Sequence, residues 1–191
     1  MNKRFLNAGG FTLVELTVVV AIIVALAAVM VPMVGSAKRD GQVAEILQMV
    51  DPLRSASQKY YADTGTVGRE YSGSNSTSNH QFSLKQSVPG WNGPYISQAL
   101  TKGDNPFGGH VYVYNSLNSA YQSGFRLTSG SAGLTARGPG NFVRLTNVPL
   151  DIAELVNKAL DDGVSGNWRK GGRVTYSGSN LYIFMMDTDG Q

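Results

Sequence analysis

The sequence predicts an α+β chain in which one long N-terminal helix packs the C-terminal half of its length on an antiparallel sheet. Three observations carry this prediction. Residues 17–34 contain no charged side chain. Residues 43–61 then repeat apolar side chains at helical spacing. Beyond residue 110, short β-rich runs dominate, with a single helical stretch among them. The 191 residues divide into a polar leader, 1–10, an apolar helix, 11–42, and a globular head, 43–191, that includes the C-terminal half of the long helix.

The long helix rests first on its apolar run. Residues 16–34 reach about 28 Å at the helical rise, enough to cross the hydrocarbon core of a bilayer. Val18, Val19, Val20, Ile22, Ile23 and Val24 are β-branched and form helix reluctantly in water. In lipid the backbone must satisfy its own hydrogen bonds, so helix prevails. Pro32 removes one ladder bond and is expected to kink or locally melt the helix, and Pro52 to bend it again. The second half is amphipathic: Val43, Ile46, Leu47, Val50, Leu53, Ser57, Tyr60 and Tyr61 form a mostly apolar stripe that should pack under the head. Asp63-Thr64-Gly65 reads as the helix stop.

The parts around the apolar run stand in an informative order. A leader with Lys3 and Arg4 ends in Gly9-Gly10. A secretory signal places its small-residue cleavage site after the apolar region, whereas here the glycines precede it. Cleavage after Gly10 would remove only the leader. One acid, Glu15, sits at the head of the run, where burial is costly without a specific partner. The motif Gly10-Phe11-Thr12-Leu13-Val14-Glu15 resembles the cleavage and methylation site of type IV prepilins and pseudopilins. The resemblance covers roughly the first forty residues and includes Pro32.

That resemblance implies the type IV pilin fold. It also implies a membrane prepilin peptidase that cuts between Gly10 and Phe11 and N-methylates Phe11. Subunit assembly would run through Phe11 and Glu15, and the helix would loosen at Pro32. The implied function is that of a structural, non-enzymatic subunit of a type IV pilus-like filament. Its partners would be inner-membrane lipid, the peptidase, and identical or related pilin subunits in a helical filament. It would cross the inner membrane once, then leave it for an extracellular pilus or a periplasmic pseudopilus. Two alternatives stand beside this reading: a type II secretion pseudopilin, and a membrane-tethered binding module that does not polymerise.

The physics of the motif agrees with assembly. Glu15 lies four residues after Phe11, on the same helix face. Cleavage creates an ammonium at Phe11, which the Glu15 of a neighbouring subunit can pair. In a low-dielectric setting such pairing offsets much of the cost of burying either charge, and an unpaired partner is heavily penalised. The pair can therefore select axial register.

Composition narrows the function further. Lys and Arg number 16 against 13 Asp and Glu. Losing Lys3 and Arg4 leaves 14 basic side chains, close to neutrality, with no basic cluster that would favour nucleic acid. Cysteine is absent, which excludes disulfides, zinc thiolates and cysteine nucleophiles. Many type IV pilins close their C-terminal region with a disulfide, so here something else must pin it. No nucleophile elbow, phosphate loop or paired-histidine motif is present.

Within the head, residues 65–89 are rich in Gly, Ser, Asn and Thr and read as an irregular, exposed loop. His80 and His110 are isolated and lack companions at metal-ligand spacing. The blocks Trp91-Asn92-Gly93-Pro94-Tyr95 and Asp104-Asn105-Pro106-Phe107-Gly108 resemble a segment of pseudopilins and some pilins. Their aromatics are expected to seat the loop by core packing. Strands are expected at 111–114, 124–128 and 141–146, a short helix at Leu150–Leu160 ended by Gly163, and a hairpin of 173–176 with 181–186. Asp161, Asp162, Asp187 and Asp189 are expected in capping and turn roles, with no cofactor. Calcium on these four acids is the alternative, since major pseudopilins bind calcium in a comparable region, although the spacing is not that of an EF-hand loop.

Overall fold

The structure, a computed structural model, describes residues 10–117, 125–126, 135–136, 138–161 and 172–188. Two compact units divide the chain, Met1–Gly41 and Gln42–Gln191. One helix contributes to both: α1, Leu13–Thr64. It is unbroken past Pro32 and Pro52. In the first unit its large apolar side chains from Leu13 to Val34 are exposed wherever they are described, and it is long and apolar enough to cross a membrane. It ends where Gly65 takes a left-handed φ of 66°, a conformation that suits glycine because it lacks a Cβ.

The second unit is a helix-on-sheet layer. Its strands are β1 (Glu70–Tyr71), β2 (Val111–Ser116), β5 (Pro139–Leu145), β6 (Val174–Ser177) and β7 (Asn180–Asp187). They form one sheet in the order β1-β2-β5-β7-β6, antiparallel throughout. A separate pair joins β3 (Phe125–Arg126) to β4 (Thr135–Ala136). The second helix, α2, covers Leu150–Leu160, within the bounds its apolar spacing predicts. Its expected stop, Gly163, lies outside the described residues, and the helix already closes at Asp161.

Side chains alternate across the sheet, so register decides which ones reach the helices. Val113, Val143, Ile183 and Val174 stand opposite one another on four strands, and all are fully buried. The next row joins Val111, Leu145 and Leu181. Ile46, Val50, Leu53, Ala56 and Tyr60 of α1 and Ile152, Ala153 and Val156 of α2 complete the same core. Each buried aliphatic side chain in this contact contributes about 1.5–3 kcal/mol. Ser57 lies inside the stripe, fully buried, and its hydroxyl donates to the Leu53 carbonyl at 2.8 Å. Trp91, Tyr95 and Phe107 pack on this core, as their composition leads one to expect.

Residues 65–89 depart from the exposed loop read in the sequence. They contain β1 and a short 3-10 turn, Thr77–Asn79, and they bury Glu70, Ser72, His80 and Phe82. Glu70 faces Val113 in the register, so its carboxylate enters the core and needs donors. It finds four. The backbone N–H groups of Phe82 and Ser83 donate at 3.1 and 3.3 Å, the Ser83 hydroxyl at 2.9 Å, and His80 Nδ1 at 2.6 Å. The other ring nitrogen of His80 meets the Ser74 carbonyl at 2.9 Å. Both ring nitrogens of His80 thus face oxygen acceptors, an arrangement that favours its doubly protonated form. Composition conceals this: a polar, glycine-rich stretch is stitched inward by a single buried ion pair.

The pair makes head stability depend on pH. Burial by itself would lower the His80 pKa. The hydrogen bonds to Ser74 and Glu70 and the attraction of the Glu70 charge outweigh it, so the net shift is upward from 6.5. A group raised on folding contributes fully below its unfolded pKa and loses that contribution as pH rises through the folded value. We therefore expect the denaturant midpoint of the head to fall as pH climbs above 6.5, and Glu70→Gln to flatten that fall. A set of chemical denaturation curves across this window checks both.

Candidate functional site

The N-terminal motif occupies the last residues before α1 and its first turn. Gly10, Phe11 and Thr12 precede the helix and are exposed, Phe11 at 89 %. Among the described residues, none beyond its chain neighbours comes within 4 Å of where a Cβ on Gly10 would stand. The Gly10–Phe11 peptide bond is thus open backbone, the form a protease can engage.

Thr12 and Glu15 fasten the helix start. The Thr12 N–H donates to Glu15 Oε2 at 2.8 Å, and the Thr12 hydroxyl reaches the same oxygen at 2.8 Å. In return the Glu15 N–H donates to the Thr12 hydroxyl oxygen at 3.2 Å. This reciprocal capping box satisfies two orphan N–H groups of the first turn. It also places a carboxylate at the positive end of the helix dipole. Among the described residues the second carboxylate oxygen, Oε1, accepts no hydrogen bond, and no bond joins Glu15 to Phe11. Glu15 therefore presents one satisfied and one open oxygen at the head of an exposed apolar helix. Sequence reading paired Glu15 with Phe11 and overlooked Thr12. The signal was available: Thr12-Leu13-Val14-Glu15 fits the capping-box spacing. Pro32, singled out as a kink, has helical backbone and does not end α1.

The acidic candidates at the C-terminal end are separated by role. Asp161 is buried at the C-cap of α2, and its Oδ2 accepts the Val174 N–H at 2.8 Å. Burial raises its carboxyl pKa most strongly. The backbone N–H groups of Val174 and Arg173 oppose this, and the net direction is upward. Gly172, at φ 81°, lets the chain pass close: a Cβ there would run into the Asp161 carboxylate. Asp161 thus clasps the end of α2 to the start of β6. Asp187 is half-buried at the end of β7, opposite Gly140. Asp162 and Asp189 lie outside the described residues. Among the described residues, no three His, Asp or Glu side chains gather in a group that could hold a metal ion.

No family model, curated protein or solved structure matches this chain.

Removing the clasp should loosen the C-terminal hairpin. Asp161→Ala leaves the buried Val174 N–H without an acceptor, a loss of about 1–3 kcal/mol. Asp161→Asn keeps an amide oxygen and should cost less. Denaturation of the two variants side by side measures the difference, and equal costs would deny the carboxylate its acceptor role.

Proposed function

We propose that this chain is the structural subunit of a type IV pilus-like filament, inserted in the inner membrane as a prepilin, processed at Gly10–Phe11 and polymerised through its N-terminal helix. On this reading it has the type IV pilin fold and no catalytic role. The observation that carries the proposal is the site at the head of α1. An open Gly10–Phe11 bond is followed by a carboxylate with one uncommitted oxygen, and then by a helix whose large apolar side chains from Leu13 to Val34 stay exposed where described. Exposed apolar surface on that scale requires lipid or other subunits to cover it.

The mechanism follows from charge and geometry. Before cleavage, residue 11 contributes an amide and Glu15 caps its own helix through Thr12. Cleavage yields an ammonium at Phe11, and methylation keeps its charge. In the membrane, the open oxygen of Glu15 in one subunit accepts the ammonium of an incoming one. Apolar side chains slide past each other with little preference for register. The charge pair does not, because a subunit displaced along the axis leaves both charges buried and unpaired. Lipid first covers the apolar helix, and neighbouring helices replace it in the filament.

Two experiments test this. Intact mass of the mature protein should equal residues 11–191 with one added methyl group, whereas a mass retaining residues 1–10 would remove the basis of the assignment. Second, Glu15→Gln should insert into the membrane normally but enter filaments on the order of a hundredfold less. Sheared filaments and membrane-fraction protein, quantified together, separate the two steps. Wild-type filament yield from the variant would exclude the pairing mechanism.

A further inference from the structure

The face of the sheet turned away from the helices carries an aromatic cluster apart from the N-terminal site. His110, just before β2, and Tyr112 and Tyr114 within it alternate onto this face. Tyr71 of β1 and Arg144 of β5 both stand opposite Tyr112. The His110 ring stacks on Tyr112, with centroids 5.3 Å apart and planes at 18°. Tyr71 packs its ring against Tyr112 and Tyr114 at 5.4 and 5.2 Å. The Arg144 guanidinium lies 4.5 Å from the Tyr112 centroid and 5.0 Å from that of Tyr114. All five residues are half-buried.

Among the described residues the polar groups of this cluster are only partly committed. Arg144 makes no ion pair among the described residues, and its Nε has no hydrogen-bond partner. The hydroxyls of Tyr71, Tyr112 and Tyr114 likewise have none among the described residues. His110 spends Nδ1 on the Ser72 carbonyl at 3.1 Å, which leaves Nε2 open. Beside it runs the stretch 72–79, rich in hydroxyls and amides and anchored by the Glu70–His80 pair. Fixed tyrosines, an arginine and adaptable Ser and Asn groups are the composition of a recognition surface.

From this juxtaposition we propose that the Tyr71–Tyr112–Tyr114–His110–Arg144 surface binds a carboxylate-bearing polysaccharide, a polyuronate. The planar guanidinium, held on two rings, offers two parallel N–H groups to a carboxylate. The tyrosine hydroxyls and the 72–79 edge serve the sugar hydroxyls. A protein partner would need an apolar centre to bury, and Leu84 and Leu150 are the exposed large apolar side chains described in the head, neither of them in this cluster. Nucleic acid draws its affinity from several phosphate contacts; among the described residues Arg144 is the cation within the tyrosine cluster, while Arg69 and Lys102 border the 72–79 edge. The inference stands apart from the filament reading, since it needs only the folded sheet.

The test uses the full-length chain in detergent micelles at about 0.15 M salt. Polygalacturonate should bind, and its methyl ester, the same backbone without charge, should bind at least about tenfold more weakly. Arg144→Gln should show the same loss and Arg144→Lys a partial one. Arg54→Gln, which alters a cation paired with Asp51 on α1, should bind as wild type. Hydroxyl-radical footprinting of the wild-type chain, free of any folding defect in a variant, should show polygalacturonate protecting Tyr71, Tyr112 and Tyr114. The proposal is overturned by unprotected tyrosines, by equal binding of acid and ester, or by wild-type affinity in Arg144→Gln. Tighter binding of single-stranded DNA through the same residues would replace the polyuronate with nucleic acid.

Discussion

The head depends on burying one stripe of α1. Ile46, Val50, Leu53, Ala56 and Tyr60 are all but inaccessible to water, and the sheet row of Val113, Val143, Ile183 and Val174 lies in the same core. With no cysteine in the chain, this apolar contact has no covalent reinforcement. The polar groups that enter it must then be satisfied individually, because each orphan would subtract from a small net stability. Glu70 collects four donors, and Ser57 turns back on its own helix. Asn141 sits where the β5–β7 register shifts, and its amide nitrogen donates to the Gly68 and Tyr114 carbonyls at 2.7 and 2.8 Å, while among the described residues its buried Oδ1 has no hydrogen-bond partner. Core and clasps act together: the stripe supplies the energy, and the buried polar groups select which loop conformation closes over it.

The two halves of α1 face different environments. The C-terminal half finds its apolar partner within the subunit. The N-terminal half leaves Leu16, Val20, Ile23 and their neighbours uncovered, the surface that the proposed filament would have lipid or other subunits cover. Thr12 then has a definite task. By capping the helix with one oxygen of Glu15, it keeps the carboxylate in position without consuming its capacity for a second partner. A helix start that buried both oxygens in its own backbone would leave nothing for another chain.

The fold was legible wherever a period was long. The helical stripe from Val43 to Tyr61 and the α2 run from Ile152 to Leu160 repeat often enough to be read, and the β6–β7 hairpin announces itself through Leu181, Tyr182, Ile183 and Phe184. Of the expected strand at 124–128, only Phe125–Arg126 is among the described residues. What could not be read was pairing between residues far apart in the chain. Glu70 and His80 look solvated within a Ser- and Asn-rich stretch, and only the register opposite Val113 turns the acid inward. Arg144 likewise reads as the polar position of a half-buried strand until Tyr112 is placed across from it. At the N-terminus, Gly10, Phe11 and Glu15 stood out in the sequence, whereas Thr12 did not, since its role lies in a hydrogen bond rather than in charge or size.

The Asp161 clasp also has a mechanical meaning. A disulfide closing the same segment would fix its contour length under any load the backbone survives. Here the closure is a carboxylate holding the Val174 amide. Under load such a contact can open and re-form, so this closure resets without the redox chemistry a disulfide would need.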